Sequence, residues 1–253
     1  MLETAIRAAK EAEKIIMNYY QQTLAEERKA DHTLVTIADK EAEKKIREVI
    51  LEDFPSHEIL GEEGGDIGEK GEYIWIVDPI DGTTNFHSHV PIFATSIALY
   101  HGARPGLAVI NLPAWGKMIT AEVGKGASLN GKPFRVSEKA DLEYSTIALG
   151  YGPDLQLRQE IATIFSKLIT KTRSGRIYGS KVAQGALVAM GDIEAFISDG
   201  GSPWDFAATA IAIREAGGRI TDFSGAEWNL QSKFFLATNG KVHDQLLSII
   251  NNP

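Results

Sequence analysis

Ile74-Trp75-Ile76-Val77-Asp78-Pro79-Ile80-Asp81-Gly82-Thr83-Thr84-Asn85-Phe86 is the stretch that most restricts how this chain can fold. Four apolar residues in a row describe a strand covered on both faces. Such a strand needs a layer above and a layer below. Pro79 has no N–H to give to a ladder, so the spacing predicts that the strand stops there. Asp78 and Asp81 then fall in the turn, where their carboxylates can converge. Gly82, Thr83 and Thr84 have the form of a first helical turn, whose free N–H groups favour an anion. Two carboxylates beside an anion cradle point to a divalent metal holding a phosphate.

The surrounding chain supplies the layers. Leu2, Ala5, Ile6, Ala9, Ala12, Ile16 and Tyr19 keep helical spacing over residues 2–22. Thr36-Ile37-Ala38-Asp39 has the form of a capping box opening a second helix, which Phe54-Pro55 ends. Ile59-Leu60 reads as a short strand before the acidic turn Gly61-Glu62-Glu63-Gly64-Gly65. Strand signals dominate from Phe93 to Val136, with Asn130-Gly131 as a hairpin turn. Beyond that, strands near 145–149, 177–178, 195–197, 219–221 and 234–237 alternate with helices near 155–169, 182–190, 204–216 and 242–250. Residues 1–140 therefore read as an α+β half carrying most candidate ligands. Residues 141–253 read as an α/β half carrying Asp205 and the substrate side. The two form one compact unit of the α+β class.

Composition excludes several chemistries. The 253 residues contain no cysteine, which removes disulfides, thiolate zinc sites and cysteine nucleophiles. A formal charge of −8, from 26 basic and 34 acidic side chains, argues against a nucleic-acid partner. No apolar run has the length of a membrane span, and the acidic N-terminus does not read as a signal peptide. A cytoplasmic protein without membrane partners is expected.

Each candidate residue also has a plain structural reading. Asp81 suits the cap of the following helix, and Asp78 a strand end in water. Glu62 and Glu63 suit a solvated acidic loop, although they stand 16 and 15 residues ahead of Asp78 and can reach the same sheet edge. Ser202-Pro203-Trp204-Asp205 suits a helix start with Asp205 as the reciprocal cap. Asp39 has the same reading through Thr36. The Asp78–Asp81 spacing is one residue wider than the Asp-x-Asp of haloacid-dehalogenase phosphatases, which disfavours a phosphoaspartyl mechanism. No Arg-His-Gly occurs, and the histidines lack metal spacing. Oxygen ligands remain, and these select Mg²⁺ or Mn²⁺ over zinc.

Gly61-Glu62-Glu63, the stretch from Trp75 to Phe86, and Trp204-Asp205-Phe206-Ala207-Ala208 with Glu215-Ala216-Gly217-Gly218 resemble the inositol monophosphatase family, the Mg²⁺-dependent, lithium-sensitive phosphatases. The resemblance runs from Val35 to Asn239. It implies a layered α/β/α/β/α sandwich and a homodimer. It implies hydrolysis of a small phosphomonoester, such as inositol monophosphate or a related polyol or sugar phosphate, with Mg²⁺ or Mn²⁺ required and Li⁺ inhibitory. Histidinol phosphate and fructose 1,6-bisphosphate are alternatives, and some bacterial relatives bind transcription machinery. By position, Glu62, Asp78 and the carbonyl of Ile80 would hold one metal, and Asp78, Asp81 and Asp205 a second. Glu62 would help a weaker third, with Glu63 behind it. Thr83, oriented by Asp39, would bond the attacking water, and the N–H groups of Gly82 and Thr83 would hold the phosphate. Asp81 and Asp205 would also face substrate. Inositol-type members carry a Glu where this chain has Ser198 beside Asp199, and a small residue where it has Lys181. Substrate choice is therefore expected around Lys181, Ser198 and Asp199. The loop Arg28 to Thr33 is expected to be ordered by metal.

Overall fold

The computed structural model describes residues 1–23, 27–28, 34–67 and 71–251, with the side chains of residues 27, 28, 34 and 67 excepted. Helix α1 (Leu2–Tyr19) is followed by a ribbon of β1 (Glu27–Arg28) and β2 (Leu34–Val35), then α2 (Ile37–Asp53). The expectation for the loop ending at Thr33 falls on residues 29–33, outside the described residues. A large sheet takes β3 (Glu58–Gly61), β4 (Gly65–Ile67), β5 (Tyr73–Asp81), β6 (Ala94–His101), β7 (Arg104–Leu112), β8 (Lys117–Glu122), β9 (Gly126–Leu129) and β10 (Lys132–Pro133), with the short α3 (Thr83–His87) between β5 and β6. Its order is β10-β9-β8-β7-β6-β5-β3-β4, and within it only β3 and β5 run parallel.

The smaller sheet takes β11 (Thr146–Gly150), β12 (Ser174–Arg176), β13 (Ala195–Asp199), β14 (Arg219–Thr221) and β15 (Phe234–Thr238), in the order β12-β11-β13-β15-β14. Helices α4 (Leu155–Leu168), α5 (Lys181–Ala189), α6 (Pro203–Glu215) and α7 (His243–Asn251) alternate with these strands.

Three apolar clusters join five layers. Trp75, Val77 and Ile80 of β5 pack with α1 and α2. Ile76 points the other way, into the cluster shared with α5 and α6. That alternation is the period of a pleated strand, and it explains the unbroken apolar run. The reverse face of the smaller sheet packs on α4 and α7 through Ile147, Leu149 and Ile197. The result is an α/β/α/β/α sandwich. Helix α6 lies in its middle and is buried over Phe206–Ile213, as a helix between two sheets must be. It approaches α5 closely, because a Cβ at Gly185 would stand 1.8 Å from Thr209 Cγ2. Trimming a side chain such as Ile76 from these layers costs about 2–5 kcal/mol.

Two local expectations are corrected. The strand does not stop at Pro79 but runs on to Asp81, with a register shift against β6 between Asp78 and Asp81. The missing N–H of Pro79 falls inside that irregularity, and its carbonyl accepts Thr95 Oγ1 at 2.8 Å. The strand expected at Ile177-Tyr178 lies earlier, at Ser174–Arg176. Gly175 permits it, since a Cβ there would meet the Phe165 ring at 2.4 Å.

Candidate active site

The bulge in β5 brings Asp78 and Asp81 together. With Asp205, from the first turn of α6, each offers a carboxylate oxygen within 4.8 Å of the others. Asp78 is buried, and its Oδ1 has no hydrogen-bond partner. Burial first, then the neighbouring Glu62, Asp81, Asp205 and Asp39, push its pKa well above the usual carboxylate range. Burial and Asp205 push Asp81 up to about 7, against the opposing hydrogen bonds of Ser180 and Val182. Carboxylates this close repel unless something positive joins them. The orphaned oxygen and the oxygen-only donor set fit a hard divalent cation.

Asp81 caps a helix, though not the one that follows it. Its carboxylate accepts Ser180 Oγ–H, Lys181 N–H at 3.2 Å and Val182 N–H at 2.9 Å, at the start of α5. Gly82 turns the chain away from β5 with φ +91°. A Cβ at Gly82 would be 3.0 Å from both Ile92 O and Ser180 Cβ. Glycine is needed here for conformation and for space.

Asp39 and Thr83 meet below this cluster. Thr36 donates its N–H at 2.8 Å and its hydroxyl at 2.6 Å to Asp39 Oδ2. That leaves Asp39 Oδ1 for Thr83 Oγ1, at 3.1 Å. Thr83 Oγ1 is also 3.1 Å from the carbonyl oxygen of Ile80. Burial raises the pKa of Asp39, with the hydrogen bonds from Thr36 and Thr83 working against it.

Glu62 and Glu63 sit in a turn held from behind. Glu43, buried in α2, accepts Glu63 N–H at 2.8 Å and Gly64 N–H at 2.7 Å. Arg47, one turn on, pairs with Glu43 and donates to Gly65 O at 2.7 Å. Side chains at Gly61 or Gly64 would meet this pair at 2.5–2.9 Å. The pair thus fixes the turn and aims Glu62 into the cavity.

On the opposite wall, Ser202 N–H caps Asp205 Oδ2 at 2.9 Å, and Lys181 Nζ reaches the same oxygen at 3.1 Å. Burial works against the Lys181 charge, yet Asp205, Asp199 and Asp81 together hold its pKa above the ordinary value.

These elements meet around one cavity of about 1000 Å³. Glu62, Asp78, Ile80, Asp81, Gly82, Thr83, Lys181 and Asp205 line it, and Tyr151, Leu155, Arg158 and Ile177 form an apolar and cationic margin. Ser198 and Asp199 do not line it. Both are fully buried at the end of β13, where Asp199 Oδ2 accepts Gly152 N–H at 2.7 Å. They lie behind Gly150 and Gly152, which line the cavity. Asp39 and Glu63 also stand outside the lining.

Sequence reasoning missed Glu43, Arg47, Ser180 and Arg158. A Glu–Arg pair four apart reads as a surface pair, and only its place on the buried stripe of α2 signals otherwise. Arg158 carries no motif; its guanidinium stacks 4.9 Å from the Tyr151 ring centre and donates to Gly152 O.

Comparison with known proteins finds relatives over nearly the whole chain. The family model described as the inositol monophosphatase family matches residues 1–252. A Thermotoga maritima protein named fructose-1,6-bisphosphatase/inositol-1-monophosphatase is 39% identical over 218 residues, covering 86% of this chain and 82% of that protein. A Salmonella typhimurium protein named Nus factor SuhB is 37% identical over 254 residues, covering 98% and 94%. Among solved structures, a Thermotoga maritima IMPase superposes with a TM-score of 0.91 at 35% identity, covering 99% of this chain and 96% of that one.

Proposed function

The chain belongs to the inositol monophosphatase family, and on that premise we propose that it is a Mg²⁺-dependent phosphatase of small phosphomonoesters. The carrying observation is the oxygen cluster of Asp78, Asp81 and Asp205 in the cavity floor, with Asp78 Oδ1 buried and unpartnered. Glu62, Asp78 and the Ile80 carbonyl would hold one cation; Asp78, Asp81 and Asp205 would hold another. When bound, such cations make water nucleophilic at neutral pH and offset charge developing on the phosphoryl group.

The chain's own groups supply orientation and a proton path. Thr36 saturates Asp39 Oδ2, and Thr83 directs its single hydroxyl proton between Asp39 Oδ1 and the Ile80 carbonyl oxygen, both 3.1 Å away; with that carbonyl on a cation, the proton goes to Asp39 Oδ1. Thr83 Oγ1 then keeps a lone pair to accept a proton from water entering the cavity. The proton moves by way of Thr83 Oγ1 to Asp39 Oδ1, a carboxylate made more basic by burial. The backbone N–H groups of Gly82 and Thr83 hold the phosphate.

A polyol or sugar phosphate such as inositol monophosphate suits a cavity of about 1000 Å³. The relative named for both fructose-1,6-bisphosphatase and inositol-1-monophosphatase supports fructose 1,6-bisphosphate as an alternative, and the family resemblance implies histidinol phosphate as another. A panel of phosphate esters assayed with Mg²⁺, with and without Li⁺, tests this. Release of phosphate from none of them overturns the enzymatic reading. Li⁺ insensitivity overturns only the inositol-type assignment.

Relatives named Nus factor SuhB support a second reading, a regulatory contact with transcription machinery. The net charge of −8 favours protein over RNA as its partner. Capture of polymerase or ribosomal factors by the Asp78→Asn protein tests it. We place the protein in the cytoplasm, as its sequence composition suggests, and as a homodimer, as the family resemblance implies. Among the described residues no helix is long and apolar enough to cross a membrane.

A further inference from the structure

We propose that Lys181 is a resident cation that neutralises the Asp205 end of the carboxylate cluster and must leave before a divalent cation can use Asp205. This rests on the metal-dependent reading above. The two ends of the cluster are unequal. Asp78 Oδ1 is buried and has no partner. Asp205 Oδ2 already accepts two donors, Ser202 N–H at 2.9 Å and Lys181 Nζ at 3.1 Å.

The local structure is shaped around that ammonium. Lys181 is the first residue of α5, and its own N–H is tied to Asp81. Its side chain folds back over the Phe206 ring, 5.3 Å from the ring centre. Gly201 leaves it room: a Cβ there would stand 2.1 Å from Asp205 Oδ2 and 2.5 Å from Lys181 Nζ. Of the basic side chains lining the cavity, Arg158 is engaged with Gly152 O and Tyr151. Lys181 alone of these reaches the carboxylates.

A lysine suits this duty. Its compact charge sits on a flexible four-carbon stem that can swing aside, whereas a guanidinium forms a rigid fork. A cation on Asp205 would stand beside the ammonium at low dielectric, where two positive charges repel strongly, so the ammonium must move off Oδ2. Loading is then ordered, with the Glu62–Asp78 end filling first and the Asp205 end second. Once displaced, the ammonium remains within the cavity that it lines.

The experiment is a Mn²⁺ titration of metal-free protein, with free Mn²⁺ followed by electron paramagnetic resonance. Wild type is compared with Lys181→Met and Lys181→Gln, two uncharged variants whose folding is checked by circular dichroism. Wild type is expected to bind in two steps. In both variants the weaker step moves to roughly fivefold lower Mn²⁺ or below, while the tighter step stays within about twofold, because a competitor has been removed from one site only. Metal-free thermal stability falls in the same variants, since the carboxylates lose their counter-ion. This opposition, tighter metal with a weaker apo-protein, is not produced by a merely structural lysine. A weaker step that stays in place, or moves to higher Mn²⁺, in a folded variant overturns the proposal. Wild-type protein that binds no Mn²⁺ overturns the metal reading itself, and the proposal with it.

Discussion

The carboxylate of Asp81 accepts the N–H of Val182 at 2.9 Å, across 101 residues of chain. One side chain therefore ends β5 of the large sheet and caps α5 in the middle layer. Ser180 completes the tie through its hydroxyl, which also accepts Ala183 N–H at 3.1 Å. Ser180→Ala removes both bonds. The expected loss is about 1–2 kcal/mol of stability, measured by urea unfolding of metal-free protein. Turnover is expected to fall roughly tenfold, because Asp81 loses a partner that orients it. Unchanged stability and turnover would rule out this coupling.

Asp78→Asn separates function from stability. The buried Oδ1 has no partner, and burial with four acidic neighbours raises the pKa of Asp78. A raised carboxylate pKa means the folded state binds the proton more tightly than the unfolded state. Its stabilising effect is present at low pH and lost as pH rises through the folded value. At alkaline pH the ionised cluster therefore strains the metal-free protein. Asparagine has nearly the same shape without the charge. Melting of metal-free protein, compared with wild type across rising pH, should gain roughly 2–4 °C for each kcal/mol relieved, the gain growing as pH rises. Turnover with Mg²⁺ should drop by about a thousandfold or more, since a shared ligand is gone. Near-normal turnover by the folded variant would contradict the ligand assignment.

The Glu43–Arg47 pair lies behind the turn that carries Glu62. Glu43→Ala leaves two turn N–H groups without their acceptor and Arg47 as a buried unpaired charge. The expected cost is about 3–5 kcal/mol. Glu43→Ala combined with Arg47→Met should recover part of it, because no lone charge remains. Half-activating Mg²⁺ should still rise in the double variant, since the turn has lost its anchor. Denaturant melts and Mg²⁺ titrations of the single and double variants provide the check.

Local chemistry made much of this legible. The apolar run of β5 announced burial on both faces. Thr36 with Asp39, and Ser202 with Asp205, formed the caps that their spacing describes. Asn130-Gly131 makes the two-residue turn between β9 and β10, with φ +48° and +78°. What escaped was long-range. Pro79 remains inside a strand because the partner strand accommodates a register shift, which no local pattern encodes. Asp81 caps a helix about a hundred residues away instead of its neighbour. The strand expected over 195–197 runs on through Ser198 and Asp199, and the fold buries both against Gly150 and Gly152. Ile177 looked like a strand residue because it is apolar, but it stands half exposed at the cavity margin.

A last prediction concerns pH and lies away from the cavity. His243 opens α7, fully buried between two hydroxyls. Thr221 Oγ1 lies 2.9 Å from its Nε2, and Thr238 Oγ1 lies 2.9 Å from its Nδ1. Burial first, then Arg219, lowers its pKa to about 4, with Asp244 opposing. The unfolded chain takes up this proton near pH 6.5, before the folded protein does. The stability from the neutral imidazole is therefore complete above about pH 6.5 and declines as pH falls toward about 4. Other acid effects cancel when wild type is compared with His243→Leu, which cannot titrate at this position. The stability advantage of wild type over that variant should shrink by roughly 2–3 kcal/mol between about pH 7.5 and 4.5. Urea unfolding at several pH values gives the difference directly, and a difference that stays flat across this window refutes the neutral, doubly bonded imidazole.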